Sequence, residues 1–161
     1  MERITSFPPV VDKNSKILIL GSMPGAKSLQ MQQYYAFPQN QFWRIMFSLF
    51  DEGFSDDYQV RINLLKQNGV ALWDVIESCE RKGSTDTEIK AEIDNNIPDL
   101  IKNHPGIQAI FCNGQKAYKN LVKILGKEFR IPIIVLPSTS PLHTVKFEEK
   151  LLSWEQIKTH L

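Results

Sequence analysis

Cysteine is scarce in these 161 residues: the chain has only Cys79 and Cys112. They are far apart and form no CxxC pair. Two thiols cannot supply a four-thiolate zinc or iron–sulfur site, so both read as reduced thiols in or near the core. No apolar run approaches the ~20 residues needed to cross a bilayer. Residues 1–14 lack the apolar stretch of a secretory signal, which makes the cytoplasm the expected compartment. An excess of either charge is also lacking. A net charge of +1 excludes binders that grip nucleic acid through a large basic excess. A protein that holds a few phosphates, largely through backbone amides, stays compatible with it. The chain carries neither GxGxxG nor a P-loop, so nothing specific points to nucleotide binding. No internal repeat, low-complexity stretch or second domain is visible.

The composition that is present, 42% hydrophobic and 23% charged, is that of an ordinary globular domain. The length suits one core, so residues 1–161 are expected to form a single domain. Four short apolar runs, 16–20, 70–75, 107–112 and 131–136, lack alternation, as strands buried on both faces do. Helical patterns lie between and after them, at 40–50, 57–67, 87–103, 115–125 and 146–160. Gly126 suits a helix stop, and 146–160 sets Phe147, Leu151, Trp154 and Ile157 on one stripe. Strands alternating with helices imply right-handed crossovers. The expected architecture is a three-layer α/β/α sandwich with a central four-stranded parallel sheet.

Ligand sites in such sheets lie beyond the carboxyl ends of the strands. The unusual loops all follow strands: 21–39, 74–86, 113–115 and 137–144. They are expected to meet on one rim. Within the second of them, residues 79–86 read as a polar surface loop, with Thr85 or Asp86 capping the helix that follows. The first loop opens Gly21-Ser22-Met23-Pro24-Gly25. Two glycines and a proline after a strand make a tight turn whose amides can cradle an anion or lie under a ring; a plain strand-to-helix turn reads the same way. The excursion 28–39 is long for a junction that usually needs about 2–6 residues. It carries Tyr34, Tyr35 and Phe37, which suit either stacking on a base or a small satellite core.

The run Gly-Ser-Met-Pro-Gly, then Gln-Tyr-Tyr-Ala, then Pro38-Gln39-Asn40-Gln41-Phe42-Trp43, resembles the first motif of the uracil-DNA glycosylase superfamily. The match looks closest to its hypoxanthine-DNA (deoxyinosine) glycosylase branch. The late run Leu136-Pro-Ser-Thr-Ser-Pro-Leu-His-Thr144 is similar to that branch's second motif. Together the two motifs span about 120 residues, in the right order and strand context. The resemblance implies four parallel strands between helical layers, extrusion of a base from DNA, and hydrolysis to an abasic site without metal or cofactor.

The roles carry over position by position. The third residue of the first loop is Asp or Asn in most relatives and holds the attacking water. Here it is Met23, which cannot. The resemblance moves that duty to Asn40. An Asn amide can accept a hydrogen bond from water but is no general base, so such a site works by positioning and charge stabilisation. Asn40 also stands where a helix N-cap would. Tyr35 matches the aromatic that stacks on the extruded base, with Ser22 and Met23 beside the base. Phe37 replaces a usual His. Asp74, ending Gly69-Val-Ala-Leu-Trp-Asp74, stands where uracil enzymes read the base edge with Asn. An ionised carboxylate only accepts, and hypoxanthine offers an N1–H where adenine offers an acceptor; a turn cap is the alternative. Asn113, before Gly114, is either a second base contact or a turn residue.

In the second motif, Ser138, Thr139, Ser140 and His143 are expected to face DNA. Leu142 matches the wedge that fills the gap left by the base. Ser138 replaces a His that aids departure of the base in relatives. The expected protein is a monofunctional glycosylase acting in base excision repair on double-stranded DNA with a deaminated base, hypoxanthine first and then uracil or xanthine. It needs no cofactor, membrane or obligate protein partner, and its activity lies on the nucleoid. The rivals are a non-catalytic DNA or nucleobase binder, a serine hydrolase built on Ser138 or Ser140 with His143, and a protein-interaction module.

Overall fold

The computed structural model describes residues 2–126 and 129–161. In chain order they form β1 (Arg3–Thr5), β2 (Ile17–Gly21), α1 (Ala26–Met31), α2 (Phe42–Leu49), α3 (Tyr58–Gln67), β3 (Val70–Asp74), β4 (Ile76–Glu80), β5 (Lys90–Asp94), α4 (Ile97–Asn103), β6 (Ala109–Asn113), α5 (Gln115–Leu125), β7 (Ile133–Leu136) and α6 (Phe147–Trp154). A 3₁₀ turn, Glu155–His160, continues α6.

The main sheet has the order β3-β2-β6-β7, and every neighbouring pair is parallel. β2 shows how it is covered. Its odd residues Ile17 and Ile19 pack with Phe42, Leu64, Leu65 and Trp154 of α2, α3 and α6. Its even residues Leu18 and Leu20 pack with Ile97, Ile101, Ala117 and Leu121 of α4 and α5. Side chains of a strand point alternately to opposite faces, and both faces are apolar because both meet helices. The expected three-layer sandwich is therefore present. At the outer edge of β3, Val10 and Leu72 exchange both backbone hydrogen bonds, at 2.8 and 2.9 Å.

A second sheet, antiparallel and ordered β1-β4-β5, departs from the expected layout. Residues 79–86 are not simply a surface loop. β4 runs to Glu80, Cys79 lies in the core, and Arg81 is buried. The capping expected of Thr85 or Asp86 is also corrected. Thr85 precedes only a single 3₁₀ turn and makes no side-chain cap bond, while Asp86 binds Ser22.

The helix expected over 87–103 is confined to its last turns. Ile89, Ile93, Ile97 and Ile101 recur every fourth residue, which mimics one helical face. Pro98 sits in the first turn of α4, where a proline belongs; further inside a helix it would break it. Asn96 caps the helix by accepting from the Asp99 amide at 3.1 Å. Upstream, β5 pairs with β4 across bulges. Lys90, Glu92 and Asp94 give its free edge the charges that discourage further strand pairing.

Asn95 joins the two sheets. Its side chain donates to the Asp74 carbonyl and its amide to the Val75 carbonyl, both at 2.8 Å. Asn95→Ala removes one buried bond and is expected to cost about 1–2 kcal/mol. In urea unfolding this appears as a lower midpoint with an unchanged slope. An unchanged midpoint would show that the side chain does not hold the sheets together.

Candidate active site

The four strands of the main sheet end on one side, and a cavity of about 780 Å³ opens there. All four expected loops contribute to it, from residues 21–28, 84–87, 113 and 138–143. Among the sequence-derived candidates, Ser22, Met23, Tyr35, Asn40, Asp74, Asn113, Ser138, Thr139, Ser140, Leu142 and His143 all line it.

The floor rests on a close approach. Gly21 and Asp74 are ladder partners, and the glycine has no side chain to separate them. A Cβ at Gly21 would fall 2.5 Å from Asp74 Oδ1 and 2.8 Å from the Tyr35 hydroxyl. Asp74 is only 4% exposed. Its Oδ2 is buried with no hydrogen-bond partner among the described residues. Burial, reinforced by the nearby Asp86 and opposed by Arg81, pushes its carboxyl up to about 7.

Tyr34 and Tyr35 diverge. Tyr34 is core: its hydroxyl donates to the Pro8 carbonyl at 2.8 Å, and Trp43 Nε1 donates to its carbonyl at 2.8 Å. Tyr35, in a left-handed conformation with φ 52°, turns toward the cavity. One face of its ring stacks on Phe42, with centroids 4.1 Å apart and planes 20° apart. Phe37 stands on the cavity wall, 47% exposed.

Asn113 clamps three segments. Its amide nitrogen donates to the Tyr35 hydroxyl and to Thr139 Oγ1, and its oxygen accepts from the Thr139 amide, all at 3.0 Å. Both of its N–H donors are thereby used. Thr139 is fully buried, and its carbonyl accepts from the Gln41 amide at 3.0 Å. The expectation that Thr139 faces DNA therefore needs correcting. Its amide and hydroxyl are committed inside the protein, and it is a strut beneath the loop.

Asn40 makes the cap-like contact that its sequence position allows. Its Oδ1 accepts from the Phe42 amide at 2.9 Å, which satisfies a free N–H at the start of α2 as a cap does. The second lone pair of that oxygen and the amide nitrogen have no partner among the described residues, and the residue lines the cavity.

The loop 74–86 was expected on the rim, but the bonds by which residues 81–86 hold the first turn were not. Ser22 Oγ donates to Asp86 Oδ1 at 2.6 Å, the Ala26 amide donates to Ser84 Oγ at 2.9 Å, and Arg81 Nη2 donates to the Pro24 carbonyl at 2.5 Å. These bonds lash the 22–26 turn to the end of the second sheet. The polar run Ser84-Thr85-Asp86-Thr87 was the only signal, and it reads as any surface loop. Met23 lines the cavity but is only 7% exposed, and it belongs to the apolar cluster of Leu18, Ile97 and Leu121.

The loop after β7 is held from below. Lys150, 1% exposed, donates to the Ser140 carbonyl at 3.1 Å, and Trp154 Nε1 donates to the Pro137 carbonyl at 2.9 Å. Ser138 and Ser140 accept from the Ser140 and Leu142 amides at 3.1 and 3.2 Å. Each keeps its own O–H free to donate. The Ser140 carbonyl accepts from the His143 amide at 3.1 Å, but among the described residues neither hydroxyl is bonded to the His143 ring, so no Ser–His pair supports the hydrolase reading. Leu142 projects from the tip, 72% exposed. The Cys112 thiol, beneath the rim, is pushed up to about 12 by burial and is no nucleophile at neutral pH.

A model of the uracil DNA glycosylase superfamily matches residues 8–158. A protein of Methanosarcina barkeri named hypoxanthine DNA glycosylase is 41% identical over 128 residues, which cover 78% of this chain and 81% of that one. A protein of the same name from Methanosarcina acetivorans is 37% identical over 157 residues, covering 96% and 97%. A solution structure of a provisionally assigned uracil DNA glycosylase, also from Methanosarcina acetivorans, superimposes with a TM-score of 0.83. It shares 35% identity over 99% of this chain and 98% of that one.

Gly21→Ala tests the packing of the floor. The added methyl displaces a buried carboxyl and a tyrosine hydroxyl at once, an overpacking cost of about 1–3 kcal/mol. Thermal unfolding is expected to fall accordingly. A variant as stable as the parent would mean that the close approach does not exist in solution.

Proposed function

The chain belongs to the uracil DNA glycosylase superfamily, and we propose that it is a monofunctional DNA glycosylase that releases hypoxanthine from DNA carrying deaminated adenine. One observation carries this reading. A single cavity of about 780 Å³ gathers an aromatic ring, an unpartnered carboxyl and a partly free amide beneath an exposed leucine. The name shared by the two relatives supports hypoxanthine as the base. The same pocket chemistry extends to uracil and xanthine, which also carry an N–H beside a carbonyl. Base excision repair is the process such an activity serves.

The base enters extruded from the duplex. Tyr35 has one face spent on Phe42, and its other face is the one left for the base. Asp74 meets the base edge and accepts from N1–H, which adenine lacks. Asn113 positions Tyr35 and the 138–142 loop, since its own donors are used. Ser22 ties the wall through Asp86, and Met23 fills the underside of the turn. Asn40 orients the water with its free lone pair, and the water oxygen bonds C1′ as the C1′–N9 bond breaks. Asn cannot take the proton at neutral pH, so its contribution is placement. Leu142 enters the stack and offsets an unstacking cost of a few kcal/mol. The hydroxyls of Ser138 and Ser140 donate to phosphates, with His143 at the same edge. Neutral donors suit a chain with net charge +1.

The test is alkali-revealed cleavage of duplexes carrying deoxyinosine, deoxyuridine, deoxyxanthosine or only normal bases. Strand breaks at deoxyinosine are expected. Binding to the deoxyinosine duplex without any break would instead favour a non-catalytic binder. Asn40→Ala is expected to slow single-turnover cleavage about 100-fold or more while retaining duplex binding. An unchanged rate removes Asn40 from the mechanism. Leu142→Ala is expected to weaken cleavage of paired deoxyinosine more than of deoxyinosine in single strands, because only the duplex has a stack to open. Equal losses on both would contradict the wedge.

A further inference from the structure

Asp74 carries a carboxyl that none of the described residues satisfies. No described residue donates a hydrogen bond to either side-chain oxygen, and Oδ2 is wholly buried. The groups around it do not make up for this. From the segment after β4 come Asp86, which repels a carboxylate, and Arg81. The Arg81 guanidinium bonds the Pro24 carbonyl and leaves its Nε and Nη1 without partners, so it makes no bond to Asp74. From the excursion after α1 come Tyr34 and Tyr35, both neutral, since burial and the Asp74 charge raise them. β6 brings the neutral Cys112. Lys27 and His143 stand elsewhere on the cavity wall. A buried carboxylate without donors is costly, and such a group takes up a proton instead.

We propose that Asp74 works as a neutral carboxyl, its carbonyl oxygen accepting the N1–H and its hydroxyl donating to the C6 oxygen of the extruded base. This rests on the glycosylase reading above and adds a catalytic role to a recognition residue. When the C1′–N9 bond breaks, its electron pair enters the base and spreads to the ring nitrogens and the C6 oxygen. A donor already aimed at that oxygen strengthens as the charge grows, which lowers the barrier without reorganisation. The water that attacks C1′ loses a proton to solvent, and the departed base takes one up from solvent. Asp74 ends the reaction as it began. An ionised Asp74 would instead set a negative charge against the oxygen that is gaining one.

The sign of the pH dependence follows. Burial, with Asp86 in support, pushes the carboxyl up to about 7. Below that pH the donor is present, and above it the rate falls by about tenfold per pH unit. The experiment measures single-turnover release of hypoxanthine from a deoxyinosine duplex between about pH 5.5 and about pH 8.5. Asp74→Asn carries an N–H donor and a carbonyl acceptor that do not titrate. The ratio of its rate to that of the parent is expected to climb about tenfold per unit above the break, which cancels any titration of the substrate. Asp86→Asn removes a like charge and is expected to move the parent's break to lower pH. Carbon NMR of the Asp74 carboxyl in the free protein reads the same titration without activity, with its midpoint near neutrality.

A parent profile flat across this interval overturns the proposal and leaves the glycosylase reading intact. So does a rate that rises with pH while Asp74→Asn is inactive, or a carboxyl already ionised at about pH 5. Absence of cleavage by the parent at every pH overturns the glycosylase reading, and this proposal with it.

Discussion

The contact between Gly21 and Asp74 sets the terms for the site. The two residues are neighbours at the carboxyl ends of adjacent parallel strands, and the missing side chain of the glycine lets the carboxyl and the Tyr35 hydroxyl occupy its place. The sheet fixes the backbones through hydrogen bonds, and burial then fixes the chemistry of the carboxyl. What surrounds the floor is support. Asn113 holds Tyr35 against it, Thr139 ties the last loop to the start of α2, and the 81–86 segment straps the first turn from outside. The strap belongs to a second sheet that is itself tied to the Asp74 carbonyl through Asn95.

Polar groups in this region divide by whether the protein already uses them. Those of Asn113 and Thr139 are spent on each other, on Tyr35 and on the Gln41 amide. Asp74 is unspent, Asn40 is half spent, and Ser138 and Ser140 keep a free hydroxyl hydrogen. Unspent buried groups destabilise a fold unless a ligand completes them, and Asp74 shares one cavity with Asn40, Ser138 and Ser140. Lys150 follows the same logic from below. Its ammonium is nearly inaccessible and bonds one loop carbonyl, and burial lowers its pKa. It brings positive charge beneath a loop whose visible face is neutral.

Much of this was legible in the sequence where the signal is local. The four strands of the main sheet, the helices at 42–49, 58–67 and 115–125, and the gathering of loops on one rim all follow from apolar runs and their spacing. Asn40 illustrates a limit. Its position before Gln41-Phe42-Trp43 suits a cap, while the family resemblance implies a water ligand, and only the bond to the Phe42 amide shows that one lone pair serves the first while another is left over. The second sheet was not legible. Ile89, Ile93, Ile97 and Ile101 keep a helical spacing across a strand, a turn and a helix start, and β5 is too exposed to announce itself by burial. Arg81, Ser84 and Asp86 escaped for a related reason. Their partners lie 57 to 64 residues away, and a polar run discloses nothing about distant contacts. Thr139 was misplaced because a hydroxyl in a Pro-Ser-Thr-Ser-Pro loop gives no sign of which way it points.

The central claim is that water attacks the sugar carbon while the base leaves whole. Turnover of a deoxyinosine duplex in ¹⁸O-labelled water, followed by mass analysis of both products, tests it most directly. The account predicts one ¹⁸O on the abasic sugar and free, unlabelled hypoxanthine. Label in the base, or a strand broken at phosphate with inosine still attached to its sugar, would contradict it.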